Sequence, residues 1–300
     1  MMSSLRVATT NFALRAETSV EGLLKHIEGL VGRAAAAGAE MVVFPEFAST
    51  GLLGSISDHI VTAKTVTPDY RDVLAPRFDD IADGVKRLAR QYGIVIVGGS
   101  HNRIADDGSL RNTAVIAQPD GRVETQDKIH LTPPEHEMGA RGGDELLVTR
   151  IGPFTAGLLI CADIQFPELS RYLVHQGVDL IICPSLTWNR RGVHRVRTGC
   201  QARAIENQLY VVMSPLVGDS GLPVDAPLYA VGQALVSTPV DKTVGINDGL
   251  LALSEVKGED ILFAELDHDI LIASRSFPEP PGLSLRRTDL FAKLRAEADF

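Results

Sequence analysis

Short apolar runs of strand length alternate with longer segments of helical period along almost the whole chain. That alternation constrains the fold more than any other feature. Each strand-forming run must join a sheet, and each amphipathic helix must cover a face of one, which defines an α/β architecture. Leu5 to Ala13 reads as a strand. Val20 to Ala37 reads as a helix, with Leu23, Leu24, Ile27, Leu30, Val31 and Ala34 at helical spacing and Gly38 suited to its end. Glu40 to Phe44, Ile94 to Gly99, Leu180 to Cys183 and Tyr210 to Ser214 are further strands. Arg71 to Tyr92, Pro167 to Gln176, Val193 to Gln208 and Asp267 to Ser274 are helices. Thr113 to Gln118 and Val123 to Lys128 flank Pro119-Asp120-Gly121 as a hairpin, and Leu146 to Arg150 and Thr155 to Cys161 pair around Gly152-Pro153. Ala230 to Ser237, Leu250 to Val256 and Ile261 to Leu266 are late strands. Hairpins added to strand–helix units imply a mixed sheet or sheets.

Composition narrows the class. With 45% hydrophobic and 22% charged residues, the 300-residue chain is too apolar for disorder and long enough for a sizeable core. Its longest apolar run, Phe154 to Ala162, is nine residues and contains Thr155 and Gly157, well short of the ~18 to 20 a membrane-spanning helix needs. Met1 to Arg6 leads straight into strand alternation, so no signal peptide is expected. A net charge of −9 without a Lys/Arg block argues against nucleic acid and membrane surfaces as partners. Cys161, Cys183 and Cys200 are too few and unevenly spaced for a disulfide framework, which points to free thiols in a reducing, cytoplasmic compartment. No Gly-rich phosphate loop and no His/Cys cluster at ligand spacing appears, so no cofactor and no metal are expected.

Three ionisable residues stand at the ends of apolar strands: Glu46 after Met41-Val42-Val43-Phe44-Pro45, Lys128 after the hairpin strand, and Cys161 after Gly157-Leu158-Leu159-Ile160. The space beyond the strand ends is where open α/β sheets bind ligands. Cys161 is either a small buried hydrophobe or a thiol placed before a turn and helix, a position that can lower a thiol pKa and turn the sulfur to solvent. Glu46, between Pro45 and Phe47, is either a loop carboxylate or a base whose pKa is raised by desolvation. Lys128 is either a surface lysine or a cation placed to hold developing negative charge. Cys183 and Cys200 read as packing residues.

Taken together, Phe44-Pro45-Glu46-Phe47, Asp127-Lys128-Ile129-His130-Leu131 and Cys161-Ala162-Asp163-Ile164-Gln165-Phe166-Pro167-Glu168, in that order, resemble the nitrilase (carbon–nitrogen hydrolase) superfamily in its amidase-like branch. Pro184-Ser185-Leu186-Thr187, Arg203 to Gln208 and Arg286 to Phe291 extend the resemblance over roughly residues 5 to 291. The resemblance implies a four-layer α-β-β-α sandwich, formed by a single domain with a core at about 5–275 and a C-terminal arm at about 276–300. It implies cofactor-free hydrolysis of an amide or N-carbamoyl C–N bond in a small molecule, through a thioester on Cys161, with loss of ammonia or an amine. Glu46 carries over as general base and Lys128 as the cation at the tetrahedral intermediate. The second glutamate of the family falls on Glu135 or Glu137, Glu135 having the matching spacing. The Ala162 amide is assigned to the oxyanion, and Thr187 and Trp188 to the pocket. A homodimer or larger even assembly is the implied oligomeric state.

This chain departs from the family pattern at two places. Ala162 stands where an aromatic residue is common, and Gln165 where an arginine is usual. Asp163 is expected to anchor the turn, and His130 to be structural. Nitrile hydrolysis and a catalytically silent binding role are the alternatives. A Cys–His glutaminase-like reading lacks the Gly-x-Cys-x-Gly elbow, and an α/β protein with a merely buried Cys161 predicts an unreactive thiol.

Overall fold

Strand β1 (Ser4–Ala13) organises the molecule, because it pairs on both edges and runs through both halves of the sheet. The computed structural model describes residues 3–56, 61–62, 66–219, 224–225, 229–255, 258–279 and 282–297. On one side β1 pairs in parallel with β2 (Met41–Val43), which pairs in parallel with β3 (Val95–Ile104). The antiparallel strands β4 (Leu110–Ala117) and β5 (Val123–Asp127) complete that half. The other half holds β6 (Val148–Ile151), β7 (Phe154–Leu158), β8 (Leu180–Ser185) and β9 (Tyr210–Asp219), with β7, β8 and β9 parallel. Strands β10 (Leu235–Ser237) and β11 (Leu250–Leu253) extend from β9, and β12 (Asp260–Asp267) lies antiparallel along the length of β1.

Among the described residues, β1 and β9 pair as strands where Phe12 and Ala13 meet Leu216 and Val217, which joins the two halves. Elsewhere they separate and face each other. Val7, Met41, Val43 and Val97 from the first half share one buried core with Leu158, Ile182 and Met213 from the second. The alternate residues Ala8, Val42, Ile96 and Val115 point the other way, into a core shared with helices α1 (Val20–Ala36) and α2 (Phe78–Tyr92). This is the period-2 alternation of a sheet buried on both faces. Across the molecule, Leu173 of α4 (Pro167–His175) and Val196, Cys200 and Ala204 of α5 (Arg190–Asn207) cover the second half. The layer order is therefore α-β-β-α, as the resemblance implies.

Several boundaries differ from expectation. The helix predicted from Arg71 is regular only from Phe78. Tyr70–Leu74 forms a π turn and Ala75–Arg77 a 3-10 turn, because Pro76 has no N–H to extend an α-helical ladder. Helix α5 begins three residues earlier than predicted, since Asn189 caps it by accepting from the Gly192 N–H at 3.0 Å. The predicted strand Leu250–Val256 ends at Leu253, and its last residue lies outside the described ones. The sequence pattern gave no helix in the turn after Lys128, yet Pro133–Glu137 forms α3. Helix α6 (His268–Ser276) lies where expected. The segment expected as a C-terminal arm contains a helix, α7 (Thr288–Glu297), with Leu290, Phe291 and Leu294 exposed. Among the described residues no helix is long and apolar enough to cross a membrane.

Candidate active site

Four segments deliver the site, each leaving the end of a strand. Glu46 follows β2, Lys128 follows β5, Cys161 follows β7 and Leu186 follows β8. The loop at Glu46 is pinned by β3: the Phe44 N–H donates to Val97 O at 2.8 Å and the Ser100 N–H to Pro45 O at 3.1 Å. The Phe47 backbone, with φ 53°, turns the chain back at once.

Glu46, Lys128 and Glu135 are almost wholly buried, at 2%, 1% and 3% exposure. Lys128 Nζ donates to Glu46 Oε1 at 2.7 Å and to Glu135 Oε2 at 2.6 Å. Asn112 Nδ2 bridges the same carboxylates, at 3.0 Å to Glu46 Oε1 and 2.9 Å to Glu135 Oε1. The other oxygen of Glu46, Oε2, accepts from the Leu186 N–H at 3.0 Å. Glu135 is held by the start of its own short helix, where the Thr132 N–H and Oγ1 donate to Oε2 at 2.8 and 2.7 Å. The five-residue helix thus forms around a capping box whose carboxylate also serves Lys128.

Cys161 opens a 3-10 turn (Cys161–Gln165) with φ 47°, a left-handed conformation that is uncommon for a residue with a side chain. Its Sγ donates to Leu186 O at 3.3 Å and accepts from Ser185 Oγ at 3.4 Å. Asp163 anchors the turn. Its carboxylate accepts from the Ile160, Ile129 and His130 N–H groups at 3.2, 3.3 and 2.7 Å, tying the cysteine turn to the segment after Lys128. The amides of Cys161 and Ala162 precede the first bond inside the turn, from the Asp163 N–H to Ile160 O. His130 stacks on Phe166 with ring centroids 3.6 Å apart.

The electrostatics follow from this burial. Desolvation raises the Glu46 pKa, with Lys128 opposing it and Glu135 adding to it. Burial works against the Lys128 ammonium, but the two carboxylates outweigh it and hold its pKa above the ordinary lysine value. Burial likewise works against ionised Glu135, and the Lys128 charge and hydrogen bonds overcome it, so its pKa is lowered. The Cys161 thiol is pushed up by burial and then by the Glu46 charge. Of the two readings of Cys161, the buried one holds for its surroundings: a turn that can favour thiolate is outweighed by dehydration and a neighbouring carboxylate. Raised above its ordinary value, the thiol is held in its protonated form near neutrality.

A cavity of about 240 Å³ opens onto these groups, and Ala162, Thr187, Trp188, Met138, Gln165 and Arg195 are among the residues lining it. The structure therefore gathers Glu46, Lys128, Glu135, Cys161, Ala162, Thr187 and Trp188 around one space. Thr187 Oγ1 donates to Val231 O, and Trp188 also packs against the core beneath α1 and α2. Glu137, one of the two candidates for the second glutamate, is exposed and does not line the cavity, because it lies half a helical turn beyond Glu135. Sequence reasoning missed three contributors. Asn112 is a polar residue entering the apolar run Ala114–Ala117, which was its one visible signal. Leu186 acts through its backbone, which no side-chain motif reports. Tyr70 is buried, lines the cavity and has its pKa raised to about 12 by desolvation, so it stays a hydroxyl donor.

Known proteins resemble this chain in sequence and in fold. Residues 6–248 match the carbon-nitrogen hydrolase family. The probable hydrolase YhcX of Bacillus subtilis (strain 168) is 30% identical over 291 residues, covering 96% of this chain and 54% of that protein, so this chain spans about half of it. The omega-amidase NIT3 of Saccharomyces cerevisiae is 25% identical over 240 residues, covering 76% of this chain and 77% of that protein. Among solved structures, the amidase from Nesterenkonia sp. AN1 has a TM-score of 0.75 at 21% identity, covering 98% of each chain, which is a likeness of fold.

Proposed function

The chain belongs to the carbon-nitrogen hydrolase family, and from that membership we propose that it hydrolyses the amide or N-carbamoyl C–N bond of a small molecule through a thioester on Cys161. The observation that carries this reading is the convergence of Glu46, Lys128 and the Cys161 thiol on one small cavity, with Leu186 bonded through its N–H to Glu46 and through its carbonyl to the thiol. A neutral buried thiol beside a carboxylate of raised pKa suits general-base activation better than a standing thiolate.

In this reading Glu46 takes the Sγ proton as the sulfur bonds to the substrate carbonyl carbon. The π pair moves onto oxygen, where the Lys128 ammonium and the Ala162 N–H stabilise it. The oxyanion re-forms the carbonyl and expels ammonia or an amine, protonated by Glu46, leaving the thioester. Glu46 then removes a proton from water, which attacks the thioester carbon. The sulfur leaves and recovers its proton, releasing the acid. Glu135 and Asn112 hold Lys128 and Glu46 in place throughout and exchange no proton.

Relatives named as an omega-amidase and as deaminated glutathione amidases support amides as the substrate class. The test is ammonia release from a panel of small amides, N-carbamoyl compounds and nitriles by wild type and Cys161→Ala. Release by wild type alone is expected. Equal release from both proteins ends the proposal, and release from nitriles alone moves it to nitrile hydrolysis. Three unpaired cysteines accord with a reducing, cytoplasmic setting. We further propose a homodimer or larger even assembly, to be read by sedimentation. A 32.3 kDa species at micromolar concentration is the contrary result.

A further inference from the structure

The end of strand β8 meets the Cys161 sulfur with two consecutive residues. Leu186 O accepts from Sγ at 3.3 Å, and Ser185 Oγ donates to Sγ at 3.4 Å. These two contacts respond oppositely to charge on the sulfur. A neutral thiol is a weak donor and a weak acceptor, so both are modest while the S–H bond is intact. Once the proton has left, the Leu186 carbonyl has no hydrogen to accept and turns its negative end toward a negative sulfur. The Ser185 hydroxyl becomes a charge-assisted donor, roughly twice as strong as a neutral one.

The hydroxyl is held in place before that charge appears. Ser185 is the last residue of β8, is buried, and lies in the parallel ladder opposite Pro215 of β9. The cysteine is fixed as well, by its left-handed turn and by the bonds from Asp163 that anchor it. A donor so placed needs no reorganisation when charge develops. The nearby cation, Lys128, is shared between two carboxylates. Burial and then the Glu46 charge raise the thiol pKa, while Lys128 and the Ser185 hydroxyl pull it back.

We propose that Ser185 is a further catalytic residue, whose O–H donates to the Cys161 sulfur while that sulfur carries negative charge. The charge develops twice in the hydrolase reading above, on which the catalytic part of this inference rests. In acylation the S–H bond breaks, the proton passes to Glu46, and the pair on sulfur forms the bond to the substrate carbonyl carbon. In deacylation the C–S bond breaks and its pair returns to sulfur, until Glu46 gives back the proton. Ser185 keeps its own proton in both steps. Because its bond is stronger to charged sulfur than to the resting thiol, it favours the transition states over the ground state.

Alkylation of Cys161 by iodoacetamide tests the contact without hydrolysis. Rates at Cys161 are read by peptide mass from pH 5 to 10 in wild type, Ser185→Ala, Ser185→Thr and Ser214→Ala. Ser214 is the control: it is buried on the neighbouring strand β9, and its hydroxyl donates to Thr10 O at 2.8 Å and not to sulfur. Ser185→Ala is expected to react about tenfold more slowly near neutrality, the size of one hydrogen bond to a charged group. Its acid limb should stay in place, and its alkaline rise should move to higher pH, since the thiolate has lost a donor. Ser185→Thr, which keeps the hydroxyl, should recover part of the rate, and Ser214→Ala should match wild type. An unchanged rate in Ser185→Ala, an equal fall in Ser214→Ala, or an alkaline rise that does not move overturns the proposal.

The second arm measures kcat and KM by ammonia release from the fastest amide of the panel above. Ser185→Ala should lower kcat about tenfold and leave KM within about twofold, the pattern of an interaction made in the transition state. An unchanged kcat overturns the catalytic role of Ser185 and leaves the hydrolase reading standing. No ammonia from any amide with wild type, together with an alkylation rate that depends on Ser185, supports the donor to sulfur and counts against the hydrolase reading.

Discussion

The Lys128 ammonium lies 2.7 Å from the Glu46 carboxylate, with both side chains almost fully removed from water. Such a pair is held by its mutual attraction and by further hydrogen bonds, and losing one partner strands the other. Lys128→Met removes the cation from between Glu46 and Glu135. The variant is expected to lose at least about a hundredfold in kcat/KM, as for other oxyanion contacts, and about 3–5 kcal/mol of stability in urea at pH 7. The double variant Lys128→Met/Glu135→Gln should regain much of the stability and none of the activity. A Lys128→Met protein with normal ammonia release would remove Lys128 from the chemistry.

The pH profile follows from the direction of the Glu46 shift. Burial raises its pKa above 4.5, and the base must be ionised to accept the thiol proton. Activity is therefore expected to be lost as pH falls, with the acid limb of kcat/KM lying above pH 4.5. Because the Cys161 thiol is raised, alkylation of Cys161 near neutrality should track that same limb and not a thiol ionisation. Glu46→Gln should remove the limb and lower kcat/KM by about two to four powers of ten. A limb that persists in Glu46→Gln assigns it to another group.

Glu135 has the opposite sign. Its native pKa is below 4.5, so the native state releases this proton more readily than the unfolded chain does. The stability it contributes is present above pH 4.5 and disappears as pH falls through its native value. The stability gap between wild type and Glu135→Gln should thus be largest at neutral pH and close on acidification. A gap that is constant from pH 7 to pH 3 contradicts the ion pairing.

Much of this arrangement was legible in the sequence, and the limits of legibility are physical. Period-2 and period-3.6 patterns placed β1, α1 and the strand before Glu46, because those segments bury whole faces and their apolar spacing records it. Glu46, Lys128 and Cys161 were visible as ionisable residues at strand ends, where buried charge needs a reason. Helix α3 was hidden, because five residues beginning Pro133-Pro134 carry no periodicity, and the buried carboxylate that stabilises it looks like any loop glutamate. Glu135 could not be separated from Glu137 until the helix put one inside and the other out. The direction of the Cys161 shift was open in the sequence, because it depends on burial in three dimensions. Leu186 was invisible, since any residue offers the same N–H and carbonyl.

Asn112 provides a sharp test of how closely the site is balanced. Its amide donates to both Glu46 and Glu135. Asn112→Asp keeps the shape and replaces that donor with a third buried carboxylate. The expected result is a loss of about 3 kcal/mol at neutral pH, relieved as the pH falls and the added carboxyl is protonated, together with at least a tenfold fall in kcat/KM. Equal stability of the two proteins at pH 7 would show that the amide bridge is not part of the balance.

Gly99 links the backbone to the chemistry. Strand β3 shifts register against β4 between Val97 and Ser100, and Gly99 lies in that irregularity with φ 80°. A Cβ there would stand 2.1 Å from Pro45 O, the carbonyl that accepts from the Ser100 N–H one residue before Glu46. Only glycine allows both the dihedral and the approach. Gly99→Ala must push the Pro45 carbonyl away, and with it the loop that aims Glu46. The expected cost is about 3 kcal/mol in urea unfolding, with a fall in kcat beyond what loss of folded protein explains. Gly93→Ala is the control. Gly93 has φ 67° at the end of α2, but an added Cβ there meets nothing within 4 Å. It should cost about 1 kcal/mol and leave kcat per folded molecule unchanged. If both variants lose stability alike and neither changes kcat, Gly99 serves the turn alone and the link from β3 to Glu46 is broken.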